Sequence, residues 1–141
     1  MNEAEHVKAL EIMKERFGHD TVLALATVEN DIPSVRMVNG YYEDGSFYVI
    51  THALTHKMKQ IQAHPVVGIC GEWFTAHGVG CSMGHVCAPC NAVQAAKLRE
   101  AFKEWYDNGH TDESDIHTCI LRVRLTDAVL LSHGKRFELV F

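Results

Sequence analysis

Tight-turn signals cutting short apolar runs, with few helical patches between them, constrain this chain to an antiparallel sheet. The strongest is Glu43-Asp44-Gly45-Ser46, whose Asp-Gly pair predicts a hairpin joining a strand from Pro33 to Tyr42 to one from Phe47 to Thr51. Ahead of it, the run from Val22 to Ala26 is apolar on both faces, as a buried strand is, and Asn30-Asp31 supplies a turn. Beyond it, strands are predicted over 66–71 after His64-Pro65, then 73–83, 118–131 and 136–141. Gly78 and Gly80 mark bends or close backbone approach in the second of these. Consecutive hairpins exclude an alternating βαβ sheet. The predicted fold class is mainly β with flanking helices, the antiparallel sheet curling into a small barrel with the helices packed outside.

Two of the helical patches are long. Asn2 can cap the first, with Glu5 reaching back, and Val7, Leu10, Met13 and Phe17 then share a face before Arg16 and Gly18 close it. Asn91 opens the second, with Gln94 at the third position and Ala95, Leu98, Phe102 and Trp105 on one face, ending near Asn108-Gly109. A third, short helix begins at Thr55 and buries Met58 and Ile61.

The 141 residues are expected to form one domain, 1–141, with one core. Thirteen basic residues against eighteen acidic ones give a formal charge of -5, which argues against a nucleic-acid partner because counterion release needs a basic face. Residues 1–20 hold no continuous apolar run, so neither a signal peptide nor a membrane span is expected, and the location predicted is cytoplasmic. Five cysteines, an odd number, fit reduced thiols better than a disulfide framework.

The chemistry-bearing residues converge from three segments. Arg36 lies on a strand between Val35 and Met37, where a guanidinium near the core wants a bidentate oxyanion. Thr51 ends the next strand. Thr55 is a plausible N-cap, leaving the first N–H groups of its helix free for an anion, and Lys57 sits in that first turn against the helix dipole unless a negative partner is there. Together these are the equipment of a phosphate site. The bland alternative pairs Arg36 with Glu43 or Glu72 and leaves Lys57 solvated.

The ordered set of helix, buried strand, Pro-x-x-Arg strand, Asp-Gly hairpin, Tyr-x-x-Thr strand, Thr-x-Lys helix, His-Pro-Val strand and long closing strand resembles the pyridoxamine 5'-phosphate oxidase-like family of FMN-binding split β-barrels. The resemblance is closest to its short bacterial members of general stress and nitroimidazole-resistance type, and it runs to the ending Gly134-Lys135-Arg136-Phe137-Glu138-Leu139. It implies a six-stranded antiparallel split barrel with FMN as cofactor. Arg36 and Lys57 would hold the FMN phosphate, with Thr51 and Thr55 as hydroxyl partners, and His56 would stand where the family often has a second basic residue. The backbone of Met37, Val38 and Asn39 would run along the flavin ring, with Ile50 beside Thr51. It also implies a homodimer with FMN at the interface, reached from the facing subunit by Trp73, Phe74 or residues near His77, and Tyr41, Tyr48 and Phe74 are expected to need its cover.

The function implied is that of an FMN-dependent oxidoreductase of a small-molecule substrate, with a nicotinamide cofactor as candidate electron donor. No side chain stands out as a catalytic acid or base. A true pyridoxamine phosphate oxidase carries a C-terminal arginine and tryptophan clamp that the sequence lacks after Phe141, so that activity is not expected. The alternatives are a non-enzymatic FMN-binding or storage protein of stress response, or a haem-, metal- or thiol-based redox protein. Cys81, His85, Cys87 and Cys90 invite the last, Cys87-Ala88-Pro89-Cys90 having the spacing of redox dithiols. No second ligand pair at zinc spacing follows, so no metal is assigned and small loop or buried cysteines are the preferred reading.

Overall fold

The computed structural model describes all 141 residues in the order α1 (Glu3–Phe17), β1 (Thr21–Glu29), β2 (Ile32–Glu43), β3 (Ser46–His52), α2 (His56–Ala63), β4 (Val66–Gly71), β5 (Phe74–His85), α3 (Ala92–Ala101), β6 (Thr118–Ser132) and β7 (Lys135–Val140). A 3-10 turn, Pro89–Asn91, leads into α3. Every strand pair is antiparallel, in the order β3-β2-β1-β4-β5-β6, and β3 pairs in turn with β6. Six strands therefore close a barrel, and β7 extends the sheet from β6 outside the ring. No helix is long and apolar enough to cross a membrane.

The hairpins form where the turn chemistry predicts. Asn30 and Asp31 have φ of 52° and 63°, and Asp44 and Gly45 have 46° and 82°. Positive φ at both central residues gives a turn whose twist matches that of the flanking strands. The barrel interior is filled by alternate residues, among them Leu23 and Leu25 of β1, Phe47 and Val49 of β3, Val67 and Ile69 of β4, and Leu121, Val123 and Leu125 of β6. Phe17 of α1 plugs one end, its ring centroid 5.6 Å from that of Phe47 and 5.0 Å from that of Phe74. At Gly78 an added Cβ would lie 2.7 Å from Val123 Cγ1 and 2.8 Å from the Arg124 carbonyl oxygen, so β5 can cross β6 closely there only without a side chain.

Local details depart from expectation. Asn2 does cap α1, accepting from the Glu5 N–H at 2.8 Å, but the buried stripe is Ala9, Met13 and Phe17. Val7 is half exposed because the barrel end admits only a narrow i, i+4 line of the helix. β1 buries one face only, Val22 lying outside. α3 is shorter than its apolar pattern, stopping at Ala101 before a wide turn at Tyr106–His110. Its Ala95 and Leu98, continued by Phe102, pack on Ile120, with Tyr41, Tyr48 and Ile50 half-buried beneath them. Asn91 does not cap it, because its side-chain amide donates to the Met83 and His85 carbonyls, each at 2.9 Å.

One irregularity positions the site. β2 and β3 pair only through Tyr41↔Tyr48, Tyr42↔Phe47 and Glu43↔Ser46. β2 meanwhile stays registered with β1 up to Gly40, and β3 with β6 as far as His52. The two strands thus diverge beyond the hairpin, and residues 37–39 and 49–52 face an opening instead of each other. Backbone groups that point into that opening lack a ladder partner and are free to bind a ligand.

Candidate functional site

The opening is a cleft of about 620 Å³, within the range of small-molecule sites. Met37, Val38 and Asn39 of β2 form one wall, and Val49, Ile50, Thr51 and His52 of β3 another. Lys57 reaches in from the first turn of α2. The segment after α3 covers the rest through Trp105, Asn108, His110, Thr111, Asp112 and Asp115, with Thr118 at the start of β6.

Six of the nine residues expected from the sequence therefore share one cleft: Met37, Val38, Asn39, Ile50, Thr51 and Lys57. Arg36 lies behind the wall. It is paired with Leu25 and shares that residue's inward face, where Nη1 donates to the Leu25 carbonyl at 3.1 Å and to Thr27 Oγ1 at 2.7 Å. Its Nη2 donates to Gln60 Oε1 at 3.3 Å. Thr55 caps α2 as expected, but its hydroxyl is committed, donating to the His52 carbonyl at 3.0 Å and accepting from the Met58 N–H at 3.4 Å. His56 points to solvent, outside the cleft. The N–H groups of His56 and Lys57 lie ahead of the first intrahelical acceptor, as at any helix start.

Neither cation has a carboxylate partner. Glu43 pairs with Lys97 at 2.9 Å, and Glu72 offers Arg16 only its backbone carbonyl, so neither holds Arg36. Lys57 takes part in no ion pair. Burial pulls the Lys57 ammonium below the usual lysine pKa, and the neighbouring Arg36 charge pulls it further. Burial also lowers Arg36. Two mutually repelling, partly desolvated cations at one end of a cleft make a receptor for a multiply charged anion.

Asp115, in the wall supplied by the segment after α3, is a residue that sequence reasoning missed, and it is bonded to His52 at the end of β3. His52 Nδ1 accepts the Leu54 N–H at 3.3 Å, which leaves the proton on Nε2 to be donated to Asp115 Oδ2 at 2.9 Å. Asp115 also accepts the His117 N–H at 2.8 Å, and these two bonds, the backbone one first, hold its carboxyl below the usual range. Asp20 ties the covering segment to β2, accepting from Trp105 Nε1 at 2.9 Å and Asn39 Nδ2 at 3.0 Å. The Asp112-x-Ser114 and Asp115-x-His117 turns were the available signal, since each aspartate bonds the backbone two residues on.

The residues expected to reach across from a facing subunit divide. Phe74 is core, packed on Phe17 and Phe47, and is available to no partner. Trp73 is exposed in the β4–β5 turn, and His77 is exposed with Nδ1 2.9 Å from Asp127 Oδ1. The uncovered apolar surface is not at Tyr41 and Tyr48, which α3 shelters. It lies on the outer face of β2, β1 and β4, where the register aligns Met37, Ala24 and Cys70 in one row and Val35, Ala26 and Gly68 in the next. Val35 is 69% exposed and Met37 64%. Met37 belongs to both the cleft and this face.

Residues 9–130 match the sequence model of a family described as pyridoxamine 5'-phosphate oxidase. Among curated proteins none matches significantly. Solved structures agree in fold. General stress protein 26 of Bacillus anthracis superposes with a TM-score of 0.70 at 17% identity, over 95% of this chain and 99% of that one. A NimC/NimA family protein of Clostridium acetobutylicum gives 0.68 at 20% identity, over 96% and 92%. An FAD-binding protein of Mesorhizobium loti gives 0.66 at 14% identity, over 91% and 92%.

Proposed function

Because the chain belongs to the pyridoxamine 5'-phosphate oxidase family, we propose that the cleft between β2 and β3 binds FMN and that the protein is a flavin-dependent oxidoreductase of a small-molecule substrate. The observation that carries this reading is Lys57: a partly buried ammonium with no carboxylate partner, made less basic first by burial and then by Arg36, in a cleft whose walls are unladdered strand backbone. A phosphate there neutralises both cations, with Lys57 in direct contact and Arg36 adding its charge from behind the wall. The N–H groups of His56 and Lys57 at the start of α2 add to the anion field, and Thr51 adds a hydroxyl from β3. The ring system lies along Met37, Val38 and Asn39, with Ile50 against it. A bound flavin would supply hydride or electron transfer, while this chain binds it, orients it and excludes water.

The outer face around Ala24, Ala26 and Gly68 is built of small residues and edged by exposed Val35 and Met37, which suits a second copy of this chain. A homodimer formed there would cover the cleft edge at Met37 and complete the site at the interface.

The test is an absorbance spectrum of the purified protein followed by titration with FMN, FAD, riboflavin and haem. FMN binding more tightly than riboflavin supports the reading. FAD is the competing flavin, since the Mesorhizobium loti relative is described as binding it. A haem band, or equal affinity for FMN and riboflavin, would overturn the phosphate assignment. Reduction of the bound flavin by a nicotinamide cofactor, with turnover, separates an oxidoreductase from a storage protein that holds FMN without reacting.

A further inference from the structure

The cysteine-bearing turn ahead of α3 is joined to the cleft by a short chain of hydrogen bonds. Cys87 Sγ donates to Glu113 Oε1 at 3.3 Å. Arg99 holds the same carboxylate, Nη2 to Oε1 at 2.6 Å and Nε to Oε2 at 3.2 Å, and its Nη2 lies 3.9 Å from the Cys87 sulfur. His85 Nε2 bridges the carbonyl oxygens of Glu113 and Asp115, each at 3.1 Å. Glu113 and Asp115 belong to the segment that forms the acidic wall of the cleft. Cys90 is exposed at the second position of the 3-10 turn and makes no hydrogen bond through its thiol, while Cys81 lies on β5 outside the turn.

We propose that Cys87 and Cys90 are a reversible dithiol that closes to a disulfide by exchange with a low-molecular-weight disulfide, and that closure releases Glu113 and loosens the 111–118 wall of the cleft. Its effect on cofactor binding rests on the reading of that cleft as a flavin site.

The exchange balances as two substitutions at sulfur. The Cys90 thiolate attacks one sulfur of the incoming disulfide, forming a mixed disulfide and expelling the first thiolate. Cys87 then loses its proton to solvent, giving up its hydrogen bond to Glu113, and attacks the Cys90 sulfur as the thiolate, expelling the second thiolate. Both leaving thiolates are protonated, so the protein loses two hydrogens and the small disulfide becomes two thiols. Arg99 stays beside the sulfur while it carries charge.

Closure needs one backbone change. Ala88 is extended, at φ -61° and ψ 140°, immediately before the 3-10 turn. Rotating it into the helical region adds one residue to the turn, which sets positions i and i+3 about 6 Å apart, within the span a disulfide accepts. Pro89 opposes that rotation, since a residue before proline avoids the helical region. The opposition strains the closed form and keeps the bond easily reduced, as a switch requires. Closing also draws Cys87 away from Glu113, and the hydrogen bonds of Asn91 to Met83 and His85 pass the movement to the His85 contacts on the wall.

The experiment equilibrates the full chain in glutathione buffers of increasing oxidation, then reads peptide masses after alkylation and amide hydrogen exchange over 111–118. The expected result is a 2 Da loss confined to the peptide holding Cys87 and Cys90, reversed by dithiothreitol, with exchange over 111–118 faster by about fivefold, on the scale of one lost hydrogen bond. Cys87→Ser should stop at a glutathione adduct on Cys90 and leave 111–118 insensitive to the buffer. A disulfide to Cys81, a stable glutathione adduct in the unaltered protein, or a Cys87–Cys90 bond with unchanged exchange would each overturn the proposal. FMN affinity is read in the same samples: failure of the reduced protein to bind FMN refutes the flavin reading alone, because mass and exchange still decide the switch.

Discussion

Replacing Lys57 by methionine should move stability and cofactor affinity in opposite directions. Methionine keeps the long unbranched stem and removes the charge. In the ligand-free protein that charge is a cost, since Lys57 is partly desolvated, has no carboxylate partner and is repelled by Arg36. Allowing for the solvent that still reaches it, relief is on the order of 1 kcal/mol, or about 3–5 °C in Tm for a chain of this length. With FMN bound, the same substitution deletes a charge-assisted hydrogen bond of about 1.5–3 kcal/mol, a loss of roughly ten- to a hundredfold in affinity. Riboflavin, lacking the phosphate, should bind both proteins alike. Calorimetric melting of the flavin-free protein and fluorescence titration with the two flavins provide the measurements. A lower Tm with unchanged FMN affinity would make Lys57 an ordinary structural lysine and refute the argument.

The lysine charge also fixes a pH dependence: it is present below the lowered pKa of Lys57 and lost as pH rises through it, so FMN affinity, followed upward from about pH 8 where the phosphate, with a second pKa of about 6, is almost wholly dianionic, should decline earlier than for an ordinary lysine while riboflavin affinity does not follow that decline. Gly78→Ala should destabilise the fold by about 1–3 kcal/mol in urea unfolding, because the new Cβ meets Val123 and the Arg124 backbone at distances only a shift of β5 can relieve; a neutral result would mean the strand moves freely. Ala26→Arg, at the centre of the small-residue outer face, should yield a folded monomer by sedimentation, and a persisting dimer would place the interface elsewhere.

What the sequence made legible follows from how local each determinant is. The Asp44-Gly45 and Asn30-Asp31 turns need positive φ at both central residues, and few residue types supply it, so the hairpins and the antiparallel class could be read directly. The buried stripe of α1 could not. Val7, Leu10, Met13 and Phe17 satisfy a helical period, yet the barrel end selects Ala9, Met13 and Phe17, and that choice depends on Phe47 and Phe74 arriving from distant strands. Phe74 reads as a surface aromatic beside Trp73 for the same reason, although the turn at Trp73 sends one outward and the other into the core. In the cleft, Thr51 and Lys57 were legible from their own chemistry at a strand end and a helix start, whereas Met37 to Asn39 and Ile50 were implied only by the family resemblance, because nothing local marks which strand residues flank a split. The 111–118 wall was not, because His52 and Asp115 are 63 residues apart and meet only once β3 and β6 pair. Arg36 shows how the two kinds of determinant combine. Its placement between Val35 and Met37 calls for an oxyanion, but its inward face, set by pairing with Leu25, brings it to Thr27 and Gln60 first. Its charge is left uncancelled behind the cleft wall, where it adds to burial in lowering the Lys57 pKa and would strengthen the field on an anion held by Lys57.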